Sequence, residues 1–212
     1  MFVATDDLRY RTSLFNSVVA PRPIGWVSTL GPDGIANLAP FSYFNGVSAT
    51  PPMVMFANNA PEDRAEKDTL ANVRLSGEFC VNLATYDLRE AMNATSAAVP
   101  RSVDEFRLAG LTPAPCELVR CARVAESPVS LECRLMRIVD FPPLRPQDRA
   151  SAAVFGQVIA VHVADDYLDA AGHFDVLKAQ PIARLGGFQY LRVTELFELR
   201  RPAKPTRGAG AS

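Results

Sequence analysis

The sequence predicts a mainly β protein, a closed antiparallel β-barrel that carries a few short helices. Short apolar segments with strand-like alternation recur along the chain and are separated by turn-forming Gly, Pro and Asp residues. The longest of them, Ala152 to Leu168, is largely apolar at both odd and even positions. A strand with two apolar faces suits a barrel wall that is covered from outside. Few segments have the pattern of a helix, which argues against a doubly wound sheet.

The first predicted strand pair is the hairpin IGWVSTL-GPDG-IANLAPFS, whose turn is Gly31 to Gly34. Further strands are predicted at Pro52 to Asn58, Glu78 to Ala84, Arg120 to Ser127, Val129 to Phe141 and Ala152 to Leu168, with a last pair in FQYLRV and ELFELRR. Helices are predicted at Glu62 to Gly77, ending on Gly77 as C-cap, and at Thr85 to Ser96, with Thr85 as N-cap.

Size and composition favour one large domain. The chain has 212 residues, of which 48% are hydrophobic and 21% charged, so it can bury one substantial core. We assign residues 1–200 to this domain and 201–212 to a flexible C-terminal tail. The net charge is −1 and there is no basic run, so no nucleic-acid partner is expected.

The sequence also bears on location and metals. No stretch reaches the roughly 18 apolar residues of a membrane span, and the first residues lack the apolar core of a signal peptide. The four cysteines form no C-x-x-C pair and are expected to be reduced, as in a cytoplasmic protein. With only two histidines and no zinc-like spacing, no metal site is predicted.

Polar residues cluster where apolar ones would be expected. The second strand of the hairpin and its continuation carry Asn37, Ser42 and Tyr43. Lys67-Asp68-Thr69 opens the first predicted helix, where unpaired N–H groups and an ammonium would suit a phosphate. The alternative is that Asp68 or Thr69 only caps the helix while Lys67 is solvated.

Taken together, the motifs resemble the flavin reductase-like, FMN-binding split-barrel family, which includes flavoredoxins and the reductase components of two-component monooxygenases. The resemblance is carried, in order, by PRPIGWVST, NLAPFSYFNGVS, KDTLANV, FCVNLA, DEF, AGL, SPVSLEC, GQVIAVHV and PIARLGGFQY. Only the Pro-rich stretch Phe141 to Ala150 departs from it. The resemblance implies a split β-barrel and one FMN per subunit, bound at a homodimer interface.

The resemblance also implies site residues. The cofactor-binding residues expected on the first strand are Val27, Ser28 and Thr29, of which Ser28 and Thr29 would contact the phosphate or ribityl chain. Lys67 and Thr69 are expected at the phosphate. Those expected to line the isoalloxazine are Phe41, Ser42 and Tyr43, with Asn58 as a further polar contact. There is no G-x-G-x-x-G after a strand, which argues against a Rossmann dinucleotide site.

Three functions are compatible with these residues. The favoured one is hydride transfer from NADH or NADPH to flavin, with reduced flavin passed to a partner oxygenase or another acceptor. The second is an electron carrier that holds FMN and is reduced by a protein, and the third is flavin binding without turnover. His162 is the only candidate nicotinamide contact, although it alternates with apolar residues, a pattern that favours a satisfied core histidine.

Overall fold

A computed structural model describes residues 2–4, 14–146 and 148–202. The predicted flexible tail, 201–212, therefore lies outside the described residues except for its first two positions. The strands are β1 Arg22–Pro23, β2 Gly25–Leu30, β3 Ala36–Phe41, β4 Tyr43–Ala49, β5 Pro52–Asn59, β6 Glu78–Leu83, β7 Pro113–Ala114, β8 Arg123–Val124, β9 Val129–Phe141, β10 Ser151–Val163, β11 Ile182–Arg184 and β12 Tyr190–Arg192. The α-helices are α1 Phe15–Val18, α2 Asp68–Ser76, α3 Arg89–Ala94, α4 Glu105–Leu108 and α5 Val176–Ala179, and a 3-10 helix spans Asp165–Tyr167.

The main sheet is a curled antiparallel half-barrel with the strand order β3-β2-β6-β9-β10-β5-β4. The predicted mainly β architecture with short helices is confirmed, but the prediction of a closed barrel is wrong. β3 and β4 are its two edges, and within the described residues no ladder joins them. The edge of β3 is blocked because Glu105 accepts the N–H of Leu38, while Pro40 has no N–H to donate.

Two small sheets replace strand pairs that the sequence predicted elsewhere. β12 pairs with β11 rather than with ELFELRR, a segment without strand structure. Of the predicted strand Arg120 to Ser127, only β8 forms, and it pairs with β7. The predicted last strand pair and the predicted strand Arg120 to Ser127 are therefore correct only in part. Alternation of apolar residues indicates a strand but does not identify its pairing partner.

The helices are shorter than predicted. α2 begins six residues later than expected but does end at Gly77, which has the left-handed conformation at φ 70° that a C-cap requires. α3 begins after Leu88, so Thr85 is not its N-cap; Thr85 instead bridges to Pro181. None of the helices in the described ranges is long and apolar enough to cross a membrane.

The curl of the sheet separates two cores. The inner core is closed by Leu70 and Val73 of α2 and is built around Phe41, Phe56 and Phe79, with ring centroids 4.8 and 5.4 Å apart. The core on the other face of β2 and β3 includes Trp26, Leu38, Met92, Phe106 and Val124. Because strand side chains alternate between faces, neighbours along β2 belong to different cores. This packing brings the N-terminus of α2 to the rim of the half-barrel.

Candidate functional site

A cavity of about 150 Å³ opens at the N-terminus of α2. It lies between that helix end, the edge strand β3 and the segment that follows α3. Its lining residues include Asn37, Ala39, Pro40, Arg64, Lys67, Asp68, Thr69, Thr95, Ser96, Ala97, Val99 and Glu105. We call it the α2 cavity. Lys67 and Thr69, which the sequence predicted as phosphate contacts, both line it.

The α2 cavity is lined by two cationic side chains, Lys67 and Arg64. Burial and, secondarily, the nearby Arg64 guanidinium lower the pKa of Lys67 below its ordinary value. The Lys67 ammonium also lies 5.3 Å from the centroid of the Phe41 ring. Arg64 donates to Asp68 at 2.9 Å, but its Nε is buried and has no hydrogen-bond partner within the described part of the chain. The lining also carries the carboxylates of Asp63, Asp68 and Glu105, and Asp63 Oδ1 lies 3.7 Å from Arg64 Nε, so the cavity offers hydrogen-bond donors and not a net positive charge.

The start of α2 adds backbone donors. Lys67 is the N-cap residue, in an extended conformation (φ −72°, ψ 150°), and no side chain caps the helix. The alternative in which Asp68 or Thr69 serves as the cap is therefore wrong: Asp68 accepts from Arg64, and the Thr69 hydroxyl donates to Asn37 Oδ1 at 2.6 Å. The first N–H groups of this nine-residue helix keep their partial positive charge.

A buried polar network fixes the floor of the cavity. Asn37 accepts from Thr69 and, at 3.3 Å, from Thr29, and its amide nitrogen donates to Glu105 at 3.0 Å. Asn72 of α2 donates to Thr29 at 3.0 Å. Burial raises the pKa of Glu105, although its bonds from Leu38 and Asn37 oppose the shift. Thr29 and Thr69 therefore orient Asn37 and the helix start instead of projecting freely into the cavity.

The donor set of the α2 cavity fits a phosphate. A phosphate is compact, carries about −1.5 to −2 charge and offers three acceptor oxygens. Lys67, Arg64 and the backbone N–H groups at the start of α2 are donors of the kind that anion binding requires. A cavity of about 150 Å³ has room for a phosphate group but not for a whole nucleotide.

Several other predicted residues lie elsewhere. Val27 is fully buried in the inner core, and Phe41 is buried there too. Ser28 points to the opposite face of β2, where its hydroxyl donates to the carbonyl of Ala122 at 2.5 Å. The structure does not bring Ser28 and Thr29 to one site, because consecutive strand residues face opposite sides of a sheet.

The corner between β3 and β4 is half exposed. Ser42 forms the bend between the two strands, and the Tyr43 hydroxyl bonds Asn16 at 2.8 Å. This corner adjoins Phe41 and remains available to a ring system. Asn58, in contrast, lines a separate cavity of about 60 Å³, and its buried amide nitrogen has no hydrogen-bond partner among the residues that the structure describes.

His162 lies outside the α2 cavity. Its Nε2 is 2.5 Å from Oε1 of Glu132, a fully buried carboxylate that also accepts from the N–H groups of Glu117, Leu118 and Val119. Burial alone would raise the pKa of Glu132, but these N–H groups and the His162 ring together hold it below its ordinary value. The reading of His162 as a satisfied, partly buried histidine matches these contacts.

Comparison with known proteins identifies the class. Residues 18–178 match the flavin reductase like domain, and the chain belongs to that family. Nitrilotriacetate monooxygenase component B from Bacillus cereus is 30% identical, with a TM-score of 0.85 and coverage of 94% of this chain and 98% of that one. An uncharacterised protein of Aquifex aeolicus is 39% identical over 88% of this chain and 90% of its own length. A Shewanella frigidimarina protein with a split barrel domain is 22% identical with a TM-score of 0.77, covers 92% of this chain and 94% of its own, and shares the fold.

The sequence alone missed three contributors to this site. Arg64 precedes α2 in a segment that was predicted to be helical, and Glu105 lies within the DEF motif without having been given a role. Asn72 lies within the KDTLANV motif without having been given a role, yet it is buried and accepts from Arg101 at 2.8 Å. Neither Glu105 nor Asn72 stood out, because both motifs carry other charged or polar residues beside them.

Proposed function

We propose that this protein is an FMN-binding flavin oxidoreductase that takes hydride from NADH or NADPH. The observation that carries the proposal is the α2 cavity, which is lined by Lys67 and Arg64 at a helix start that no side chain caps. Membership of the flavin reductase-like family supports it. The flavin would supply the redox chemistry, and the chain would bind it, orient it and leave one face open.

Each part of the site has a role in this proposal. Lys67, Arg64 and the N–H groups of α2 hold the phosphate, while Thr69 and Thr29 hold Asn37 and the helix start in place. Ser42 and Tyr43 would line the ring at the β3–β4 corner, next to the buried Phe41. No general base is required of the chain, because hydride transfer moves the proton and electron pair together.

The choice of FMN follows from the phosphate site. Riboflavin lacks the phosphate, and FAD adds an adenylate beyond it, towards the Asp63–Arg64 wall of a cavity of about 150 Å³. Thermal shifts with the three flavins at equal concentrations should therefore rank FMN first, since stabilisation by a ligand follows its affinity. Equal shifts for riboflavin and FMN would remove the phosphate assignment.

A second function, an FMN-holding electron carrier reduced by a protein, is favoured by one observation. His162, the only side chain predicted to meet a nicotinamide, is engaged by Glu132 and does not line the α2 cavity. Anaerobic stopped-flow mixing of the FMN-loaded protein with NADH and with NADPH separates the two functions. Bleaching of the flavin by either nucleotide supports the reductase, whereas bleaching by dithionite alone supports the carrier.

We also propose that the protein works as a homodimer and delivers electrons to a partner such as an oxygenase. A flavin ring at the β3–β4 corner would remain exposed to water in a single subunit, and exposed apolar side chains such as Phe197 and Leu199 are suitable for covering it from a second copy. The relative from B. cereus, named as a component of a monooxygenase, supports a partner oxygenase. Light scattering that gives a 23.0 kDa particle for the FMN-loaded protein would contradict the dimer.

A further inference from the structure

A second, larger cavity lies on the other side of α3. Its volume is about 390 Å³, and it is enclosed by α3, the residues just before it and the β11–β12 hairpin. Its main polar and aromatic groups are those of Tyr86, Arg89, Arg184, Tyr190 and Arg192. We call it the arginine–tyrosine cavity. It shares no lining residue with the α2 cavity, and its size falls within the roughly 300–1,000 Å³ of small-molecule sites.

The three arginines of this cavity are held against aromatic rings. The guanidinium carbons of Arg89 and Arg192 lie 4.0 and 4.3 Å from the centroid of the Tyr86 ring. That of Arg184 lies 4.6 Å from the centroid of Tyr190, to whose hydroxyl Arg184 also donates. Stacking fixes the planes of the guanidinium groups, so that they are ordered before a ligand arrives.

The charge of the cavity is not balanced by its own residues. Among the lining side chains, three guanidinium groups face one carboxylate, that of Glu90. Glu90 lies 3.5 Å from Arg89 Nε, and its side chain is 82% exposed, so water screens this pair strongly. Within the described ranges the side chain of Arg192 has neither an ion pair nor a hydrogen bond, and its guanidinium lies against the ring of Tyr86.

The floor of the cavity is apolar. Met92 and Ile182 line it, and both belong to the core on the outer face of β2 and β3. A ligand that enters would thus meet an apolar base, tyrosine and arginine planes at its sides, and an arginine without a carboxylate partner. These surfaces select a flat ring by stacking and a negative charge by bidentate hydrogen bonding.

We propose that the arginine–tyrosine cavity binds a planar aromatic group that carries an anionic substituent. Two sources share this chemistry: an aromatic carboxylate, and an adenine nucleotide. The site is separate from the α2 cavity, and its occupancy does not depend on the flavin.

Isothermal titration of the full chain, with and without FMN, tests the proposal with benzoate and 2′,5′-ADP as probes. Benzamide keeps the ring without the charge, and cyclohexanecarboxylate keeps the charge without the ring. We expect benzoate or 2′,5′-ADP to bind at least tenfold more tightly than both controls. Binding of benzoate alone identifies the carboxylate source, and binding of 2′,5′-ADP alone identifies the nucleotide source.

Three variants locate the binding. Arg192→Gln should weaken it at least tenfold, and Glu90→Gln should strengthen it by removing the carboxylate that competes for Arg89. Arg107→Gln, an equally neutralising change on an exposed side chain of α4, should leave it unchanged. FMN affinity should be the same in all three. Failure of both probes to bind at millimolar concentration, or equal binding by Arg192→Gln and the wild type, would overturn the proposal whether or not FMN binds.

Discussion

Replacing Lys67 with Ala tests the phosphate site most directly. Lys67 is a partly buried cation beside Arg64, at the uncapped start of α2. A hydrogen bond to a charged group contributes roughly 1.5–3 kcal/mol, so Lys67→Ala should weaken FMN binding by about ten- to a hundredfold. Riboflavin has no phosphate, and its affinity should change by less than about twofold.

The assay is titration of the apoprotein with each flavin, followed by flavin fluorescence. Lys178→Ala is the matched control, because the Lys178 ammonium lies 5.2 Å from the Tyr167 ring centroid, much as Lys67 lies 5.3 Å from that of Phe41. The control variant should bind FMN like the wild type. If Lys67→Ala weakens riboflavin and FMN equally, Lys67 supports the helix and the phosphate reasoning is refuted.

The lowered pKa of Lys67 gives the same test a pH dimension. In the interval between its folded pKa and the ordinary 10.5, the unfolded chain binds more protons, so the free energy of unfolding of the apoprotein rises with pH there. FMN affinity should fall in that interval as the ammonium loses its proton. Lys67→Ala should abolish both trends, and a wild type with flat FMN affinity across this interval would contradict the assignment.

Three further predictions concern the rest of the fold. Glu132→Gln should destabilise the protein by roughly 1.5–3 kcal/mol near pH 7 in urea unfolding, because it removes the charge from a buried carboxylate that bonds His162 and accepts three backbone N–H groups. Because the pKa of Glu132 is depressed, the wild type should exceed the variant in free energy of unfolding by the full amount above about pH 4.3, and this difference should vanish as the pH falls through the folded pKa. A difference that stays the same at low pH would contradict the prediction. Gly156→Ala should lower the free energy of unfolding by roughly 1–3 kcal/mol, because an added Cβ would lie 2.3 Å from Phe79 Cζ. An unaltered melting temperature would show instead that the core rearranges to accommodate the methyl group. Hydrogen bonds from the thiols of Cys121 and Cys80 lower the pKa of Cys116. Iodoacetamide at pH 6.5 should therefore modify Cys116 before the other cysteines, as followed by mass spectrometry. Equal labelling of all four cysteines would refute this prediction.

The predicted role of His162 has a test of its own. His162→Asn should slow flavin reduction by nicotinamide while changing FMN affinity less than about threefold, which is under 1 kcal/mol, if the ring meets the nicotinamide. The bond to Glu132 predicts a different pattern, namely a lower melting temperature with an unchanged reduction rate per folded molecule. Stopped-flow reduction and thermal unfolding of the same preparation distinguish the two roles.

Local patterns in the sequence determined much of this protein. Alternation located the strands of the main sheet, Gly77 marked the end of α2, and Lys67-Asp68-Thr69 identified a helix start suited to an anion. These features depend on a few neighbouring residues, since side-chain direction in a strand and the dipole of a helix end are local properties. The motif order also identified the family.

Only the tertiary structure decided which of these residues meet. Ser28 and Thr29 are adjacent in sequence, yet one faces Ala122 and the other faces Asn37. Closure of the barrel failed at β3 because Glu105, 67 residues away from Leu38, occupies its free N–H. His162 likewise bonds Glu132, a residue 30 positions away in the sequence. Buried polar groups need hydrogen-bond partners, and the fold determines which partners lie within reach. These partners often come from distant segments of the chain, which a local sequence pattern does not reveal.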